Sequence, residues 1–158
     1  MINSGNLSLD KKNIDTILVL DFGSQYTQLI ARRIRELDIF SVILPWDISA
    51  EKIIALKPKG VILSGGPESV TESNTPRIPE AILEMEIPLL GICYGMQTLA
   101  EQFGGQVSTS KNKEFGHAEI VIEIPSLLFD GFSSGSSIDV WMSHGDHVSS
   151  LPNEFQLI

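Results

Sequence analysis

PLLGICYGMQTLAEQFGG, residues Pro88–Gly105, holds the only cysteine in the chain. An apolar strand runs into a tight turn with a glycine two residues to either side of Cys93. A helix follows, and two glycines close it. Gly91-Ile92-Cys93-Tyr94-Gly95 fits the G-x-nucleophile-x-G elbow, with cysteine in the place that hydrolases give to serine. On such a turn the helix N-terminus aims partial positive charge and free N–H groups at the sulphur. The expectation is a thiol acidified from about 8.5 toward about 4–7, with the Tyr94 N–H placed to donate to an oxyanion. A lone cysteine is more often a small buried hydrophobe. Here strand, elbow, both glycines and helix coincide, and that context selects the nucleophile.

Outward from the elbow, apolar runs alternate with helical periodicity. Thr16–Phe22 (TILVLDF), Ser41–Trp46 (SVILPW), Gly60–Gly66 (GVILSGG) and the run into Cys93 read as buried parallel strands. Between them, Tyr26, Leu29, Ile30, Ile34 and Leu37 recur at helical spacing behind a capping Ser24. Ser49–Lys57 is a short helix with an acidic first turn, and a further helix is expected near Pro76–Glu86 after a long polar loop. This rhythm predicts an α/β fold: an open, mostly parallel sheet with helices on both faces, flavodoxin-like in class. From Gln106 the pattern changes to QVSTS, AEIVIEI and IDVWMSH, strand-like segments expected to form a partly antiparallel extension. The final EFQLI begins another apolar run, so the domain, 15–158, is expected to be incomplete at its C-terminus. Residues 1–14 read as a flexible leader.

Composition bounds the partners. The net charge of −9 argues against nucleic acid and anionic membranes as main partners, since both would repel it. The polar start has no secretory pattern, and no apolar run reaches the 18 or so residues of a membrane span, so a cytoplasmic protein is expected. Asn6-Leu7-Ser8 is then a chance glycosylation match. One cysteine excludes an internal disulfide framework.

LSGGPES (Leu63–Ser69) also leaves the C-terminal end of a strand, where ligands bind in open α/β sheets. Its glycine pair would let bare backbone approach a ligand, with the Gly66 N–H completing an oxyanion hole. No G-K-[ST] follows, so it is not a phosphate-binding Walker loop. The chain has three histidines, His117, His144 and His147. Ser143–His147 (SHGDH) pairs two of them, but the remaining zinc ligands are not to be found, and no metal site is expected. His144 is one candidate for a base. Asp21-Phe22-Gly23 matches a kinase signature without the other kinase elements.

These residues resemble the class I glutamine amidotransferase family. LDFGSQYTQLIARRIREL, ILSGGPES, GICYGMQTLA, EFGHAE and DVWMSHGD are similar to its segments in order, from about Ile17 to the end. The first, with CYGMQ and WMSHGD, points to the branch that serves amination of xanthosine monophosphate to GMP in purine synthesis. The resemblance implies that Cys93 attacks the side-chain amide of glutamine and that Gly66 and Tyr94 hold the oxyanion. It also implies that Gln97, Glu68, Ser143 and Gly145 hold the substrate, with His144 in the pocket-lining segment rather than acting as base. The domain itself is expected to need no cofactor. Ammonia would pass to a separate synthetase domain using ATP and magnesium, and the whole enzyme would be a ligase and a candidate homodimer. The family's catalytic His and Glu belong to a later F-H-P-E-like segment that these 158 residues do not contain, so the chain alone is expected to have little or no glutaminase activity. Two other readings compete: a non-catalytic module binding glutamine or a partner, and a flavodoxin-like redox or receiver domain, for which the paired acids are missing.

Overall fold

The structure is a computed structural model that describes residues 15–158, the side chains of 110–115 and 144 excepted, so the expected leader lies outside the described residues. Strands β1 (Thr16–Asp21), β2 (Phe40–Pro45), β3 (Gly60–Leu63) and β4 (Leu89–Gly91) form one parallel sheet in the order β2-β1-β3-β4. Leu18, Val19 and Leu20 are all fully buried because both faces of β1 are covered. That is why a continuous apolar run, rather than an alternating one, encodes it.

The helices are α1 (Thr27–Arg35), α2 (Ala50–Leu56), α3 (Glu80–Leu83) and α4 (Tyr94–Gln102). Side-chain alternation along the strands assigns them to faces. Val19 meets Ala31 and Ile34 of α1 on one face. Leu18, Leu20, Val61 and Leu63 meet Ile53 of α2, Ile82 of α3 and Leu99 of α4 on the other. The expected open parallel α/β sheet with helices on both faces is therefore what the chain forms.

Several local expectations are corrected. Helix α1 buries Thr27, Ala31 and Ile34, whereas Tyr26, Leu29 and Leu37 of the expected stripe are exposed. The small Ala31 lets the helix sit close on β1, and its burial rotates the buried face away from the larger residues. Ser24 does not cap the helix directly; its Oγ accepts the Tyr26 N–H at 3.1 Å, ahead of the first helical residue. The helix expected over Pro76–Glu86 is a single turn. Pro79 disfavours helical backbone at Ile78, and the Ile78 N–H is held instead by Gln102 Oε1 at 2.8 Å. Helix α4 ends as its glycines require: Gly104 has φ +88, its N–H bonds the Glu101 carbonyl, and the Gly105 N–H bonds that of Ala100.

The second half is an antiparallel pair, β5 (Gln106–Val121) with β6 (Ser137–Ser150), forming a separate two-stranded sheet. QVSTS and the first four residues of AEIVIEI, read as separate strands, are one long strand with a register shift between Thr109 and Glu114, and the strand ends at Val121. EFQLI is not a strand. Pro152, which has no N–H for a ladder, opens a turn closed by the Phe155 N–H, and Phe155 packs its ring on Phe103. Among the described residues no helix is long and apolar enough to cross a membrane.

Candidate active site

Cys93 sits between β4 and α4 with φ 50 and ψ −112, a conformation that costs a non-glycine residue about 1–3 kcal/mol. The surroundings over-determine it. The Ile92 N–H bonds the Leu63 carbonyl, and the Gly95 N–H is shared between the carbonyls of Ile92 and Ser64, all at 3.0 Å. Both flanking glycines are sterically required. A Cβ on Gly91 would lie 2.6 Å from Met96 Cα, and one on Gly95 would run into the Leu63 carbonyl. The elbow read from the sequence is thus present, and the tight approach of helix to sheet explains its glycines.

The half-buried thiol opens on a cavity of about 440 Å³. Gly66, Glu68, Tyr94 and Gln97 line it from the parallel half, and Ser143 and Gly145 from β6. These are the residues the sequence placed there; the side chain of His144 lies outside the described residues. Neither the Gly66 nor the Tyr94 N–H donates to an acceptor within the described residues, which leaves both for a ligand. Gly66 is bare for a reason not visible in the sequence. A Cβ there would lie 2.7 Å from the Phe22 carbonyl oxygen, so its bareness serves packing on β1. Gln97 is buried, and its Nε2 donates to the Asp146 carbonyl at 2.9 Å, so it also ties β6 to α4.

Sequence reasoning missed Ser69 and Asp146. Asp146 is buried, and its Oδ2 accepts the Ser69 hydroxyl at 2.5 Å, while Ser69 Oγ accepts the Thr71 N–H. The histidines of SHGDH draw the eye, yet its Asp146 is buried while His147 is exposed. With Glu68 and Glu72, Asp146 gives the cavity three carboxylates, and no cationic side chain among the described residues lines it. The loop carrying Glu68 and Ser69 is clamped to α4. Arg77 pairs with Glu101, the Gln102 amide bonds both the N–H and the carbonyl of Ile78, and the Tyr94 hydroxyl donates to the Pro76 carbonyl at 2.7 Å.

The thiol itself corrects an expectation. Burial pushes Cys93 above its ordinary value rather than below it. The free amides of α4 pull the other way, but no cationic side chain among the described residues lines the cavity to help them. His117 pairs with Asp139 on β6, and neither His117 nor His147 lines a cavity that holds Cys93. Among the described residues no three His, Cys, Asp or Glu side chains gather as a metal ion would need.

A cysteine elbow on an open parallel sheet, facing a polar cavity, is an arrangement in which a thiol can act as a nucleophile. The profile described as glutamine amidotransferase class-I matches residues 18–158, and the chain belongs to that family. Within it, the similarity is to GMP synthases. The glutamine-hydrolysing GMP synthase of Histophilus somni (strain 129Pt) is 53% identical over 146 residues, covering 89% of this chain and 28% of that protein. That of Hamiltonella defensa is 52% identical over 155 residues, covering 93% and 30%. The chain therefore spans under a third of the length of these curated relatives. Among solved structures, a GMP synthase subunit protein of Thermoplasma acidophilum aligns with TM-score 0.75 and 32% identity, covering 91% of this chain and 71% of that one. A glutamine amidotransferase of Methylobacillus flagellatus, at 17% identity and TM-score 0.63, shares the fold.

Proposed function

We propose that this chain is the glutaminase part of a GMP synthase and that Cys93 is its nucleophile. One observation carries the reading: the only thiol is held in a strained elbow conformation at the wall of a cavity with two unused amides beside it. In the reaction, the Cys93 sulphur adds to the side-chain amide carbon of glutamine, and the Gly66 and Tyr94 N–H groups receive the developing oxyanion. The C–N bond then breaks, and the thiol proton ends on the departing nitrogen, so thiol plus amide gives thioester plus ammonia. Water cleaves the thioester to glutamate and restores the thiol. The three carboxylates suit the α-ammonium of an amino acid, and Gln97, Ser143, His144 and Gly145 complete the substrate wall. In the whole protein, ammonia would pass to a synthetase domain that uses ATP and magnesium to activate xanthosine monophosphate, giving GMP.

The raised thiol and the lack of a described histidine in the cavity favour a second reading for the isolated chain, a glutamine-binding module without turnover. Loss of a general base costs about 10²–10⁴-fold, so these 158 residues are expected to release little or no ammonia. One experiment separates the readings. A chloroketone built on the glutamine skeleton should alkylate Cys93 faster than a plain chloroketone does, glutamine should protect, and Cys93→Ala should take up none. Equal rates for the two reagents, with no protection by glutamine, would sink both readings. Faster labelling with protection, but no glutamyl thioester on Cys93 by intact mass after incubation with glutamine, would leave the binding module.

A further inference from the structure

Ser64 follows β3, is fully buried, and has every polar group bonded. Its N–H donates to the Leu20 carbonyl, and its carbonyl accepts the Gly95 N–H of the elbow, both at 3.0 Å. Its hydroxyl accepts the Phe22 N–H at 3.1 Å and donates to the Gly65 carbonyl at 2.9 Å. One serine thus joins the end of β1, the elbow and the Gly65–Gly66 loop. The proposed chemistry gives its hydroxyl no task.

The bond to Gly65 lies on a particular peptide. The Gly65 carbonyl and the Gly66 N–H belong to one planar trans unit and point to opposite sides of it. With the carbonyl turned to the buried serine, the N–H faces away from it, and Gly66 lines the cavity that Cys93 also lines. That orientation needs holding. Turning the unit over changes the Gly65 ψ and the Gly66 φ, and neither residue has a Cβ to oppose the rotation. Gly65 has room as well, since a Cβ there would meet Ser24 Oγ and Cys93 Cβ at ordinary distances of 3.5 and 3.6 Å. Turned over, the unit would present a carbonyl oxygen to the developing oxyanion. Among the described residues no other group donates to the Gly65 carbonyl.

We propose that Ser64 is a positioning residue, whose hydroxyl fixes the Gly65–Gly66 peptide so that the Gly66 N–H is aimed at the oxyanion before substrate arrives. The inference rests on the glutaminase reading. A donor fixed beforehand costs no reorganisation as charge develops, and that is the source of its effect on rate. A serine that served only the buried Phe22 N–H would leave the chemistry at Cys93 untouched.

The test divides the reactions of Cys93 by reagent. A chloroketone on the glutamine skeleton reacts through an oxyanion. The sulphur adds to the ketone carbon, then bonds the methylene carbon as chloride leaves and the carbonyl re-forms. Methyl methanethiosulfonate passes its methylthio group to the sulphur and releases methanesulfinic acid, so no carbonyl oxygen gains charge. Ser64→Ala should lower the saturating chloroketone rate about tenfold or more, with the half-saturation concentration and the thiosulfonate rate within about twofold. Ser64→Thr, which keeps the hydroxyl, should restore the chloroketone rate. An undiminished chloroketone rate in Ser64→Ala would overturn the assignment. So would a parallel fall with both reagents, the mark of a disturbed elbow. Should alanine fail to fold with the Phe22 N–H unbonded, proton NMR of the unaltered chain decides. The Ser64 hydroxyl proton should exchange slowly with water and stay so when glutamine binds; its loss on binding would mean that the peptide is not fixed. If the unaltered chain shows neither saturation by the chloroketone nor protection by glutamine, the glutaminase reading falls and takes this inference with it, a result distinct from the others.

Discussion

Between Leu18 and Ala100 the chain buries fifteen core side chains; beyond Gly105, among the described side chains, only Ile122 joins them, while Leu127, Trp141 and Leu157 stand 98%, 78% and 67% exposed. The parallel half is ordered by burial on two faces of a sheet. The hairpin half is ordered by its ladder, and a two-stranded ribbon is marginal in water by itself. Two side-chain ties to the parallel half lie at the cavity, Ser69 and Gln97 on Asp146, and a third, Phe103 on Phe155, lies at the far end of α4. The cavity thus lies on the seam between a stiff wall, which carries the thiol and both oxyanion amides, and a softer wall, which carries Ser143 to Asp146.

The largest effect should come from the stiff wall. Leu63 is fully buried, and its carbonyl receives the Ile92 N–H while its backbone abuts Gly95. Leu63→Ala should cost about 2–5 kcal/mol in urea unfolding, because a cavity forms where the elbow is braced. A loss under about 1 kcal/mol would mean that the parallel half is no stiffer than the hairpin.

The contrast also decides what the sequence could reveal. Strands buried on both faces announce themselves as apolar runs, so TILVLDF and GVILSGG were legible, and the elbow was legible because two glycines and a thiol share one spacing. The rotated face of α1 was not, since Ala31 outweighs Leu29 only through close approach to β1, a tertiary fact. The one-turn α3 was overread because Pro79 acts backward on Ile78, and Gln102 supplies Ile78 with a partner 24 residues distant. The elbow around Cys93 is legible in its spacing, but the burial that raises its thiol is not. Asp146 is hidden among its neighbours in the sequence, because the hydroxyl that bonds it belongs to Ser69, 77 residues earlier.

The tie across the seam is next in size. Asp146→Ala removes the carboxylate that Ser69 bonds but keeps the carbonyl that Gln97 bonds. It should cost about 1–3 kcal/mol. Hydrogen exchange should show the loss in β6 amides near Gly145, with the β1 and β3 amides unchanged. Equal loosening of both halves would show that the seam is not where their stabilities part.

A smaller effect follows from the thiol and its neighbour. Burial raises both Cys93 and Tyr94, so each holds its proton more tightly in the folded chain than in the unfolded one. Their contribution is intact below the ordinary values and is lost as pH rises through the folded ones. Stability should therefore decline on the alkaline side, beginning in the usual thiol range where the unfolded thiol ionises, and Cys93→Ala should flatten the first part of that decline. A Cys93 that alkylates fully at neutral pH, with no alkaline loss, would show that the helix amides outweigh burial.

The smallest effect tests the soft wall directly. Trp141 lies opposite His117 in the ladder and stands mostly in solvent, so its ring has little area to lose. Trp141→Ala should shift urea unfolding by no more than about 0.5 kcal/mol, as exposed positions do. The number matters because tryptophan is the side chain best able to give a bare hairpin a core of its own, through cross-strand contact on one face. A loss above about 1 kcal/mol would mean that such a core exists. The hairpin would then carry its own stability, and the contrast between the two walls would reduce to one of exposure rather than of strength.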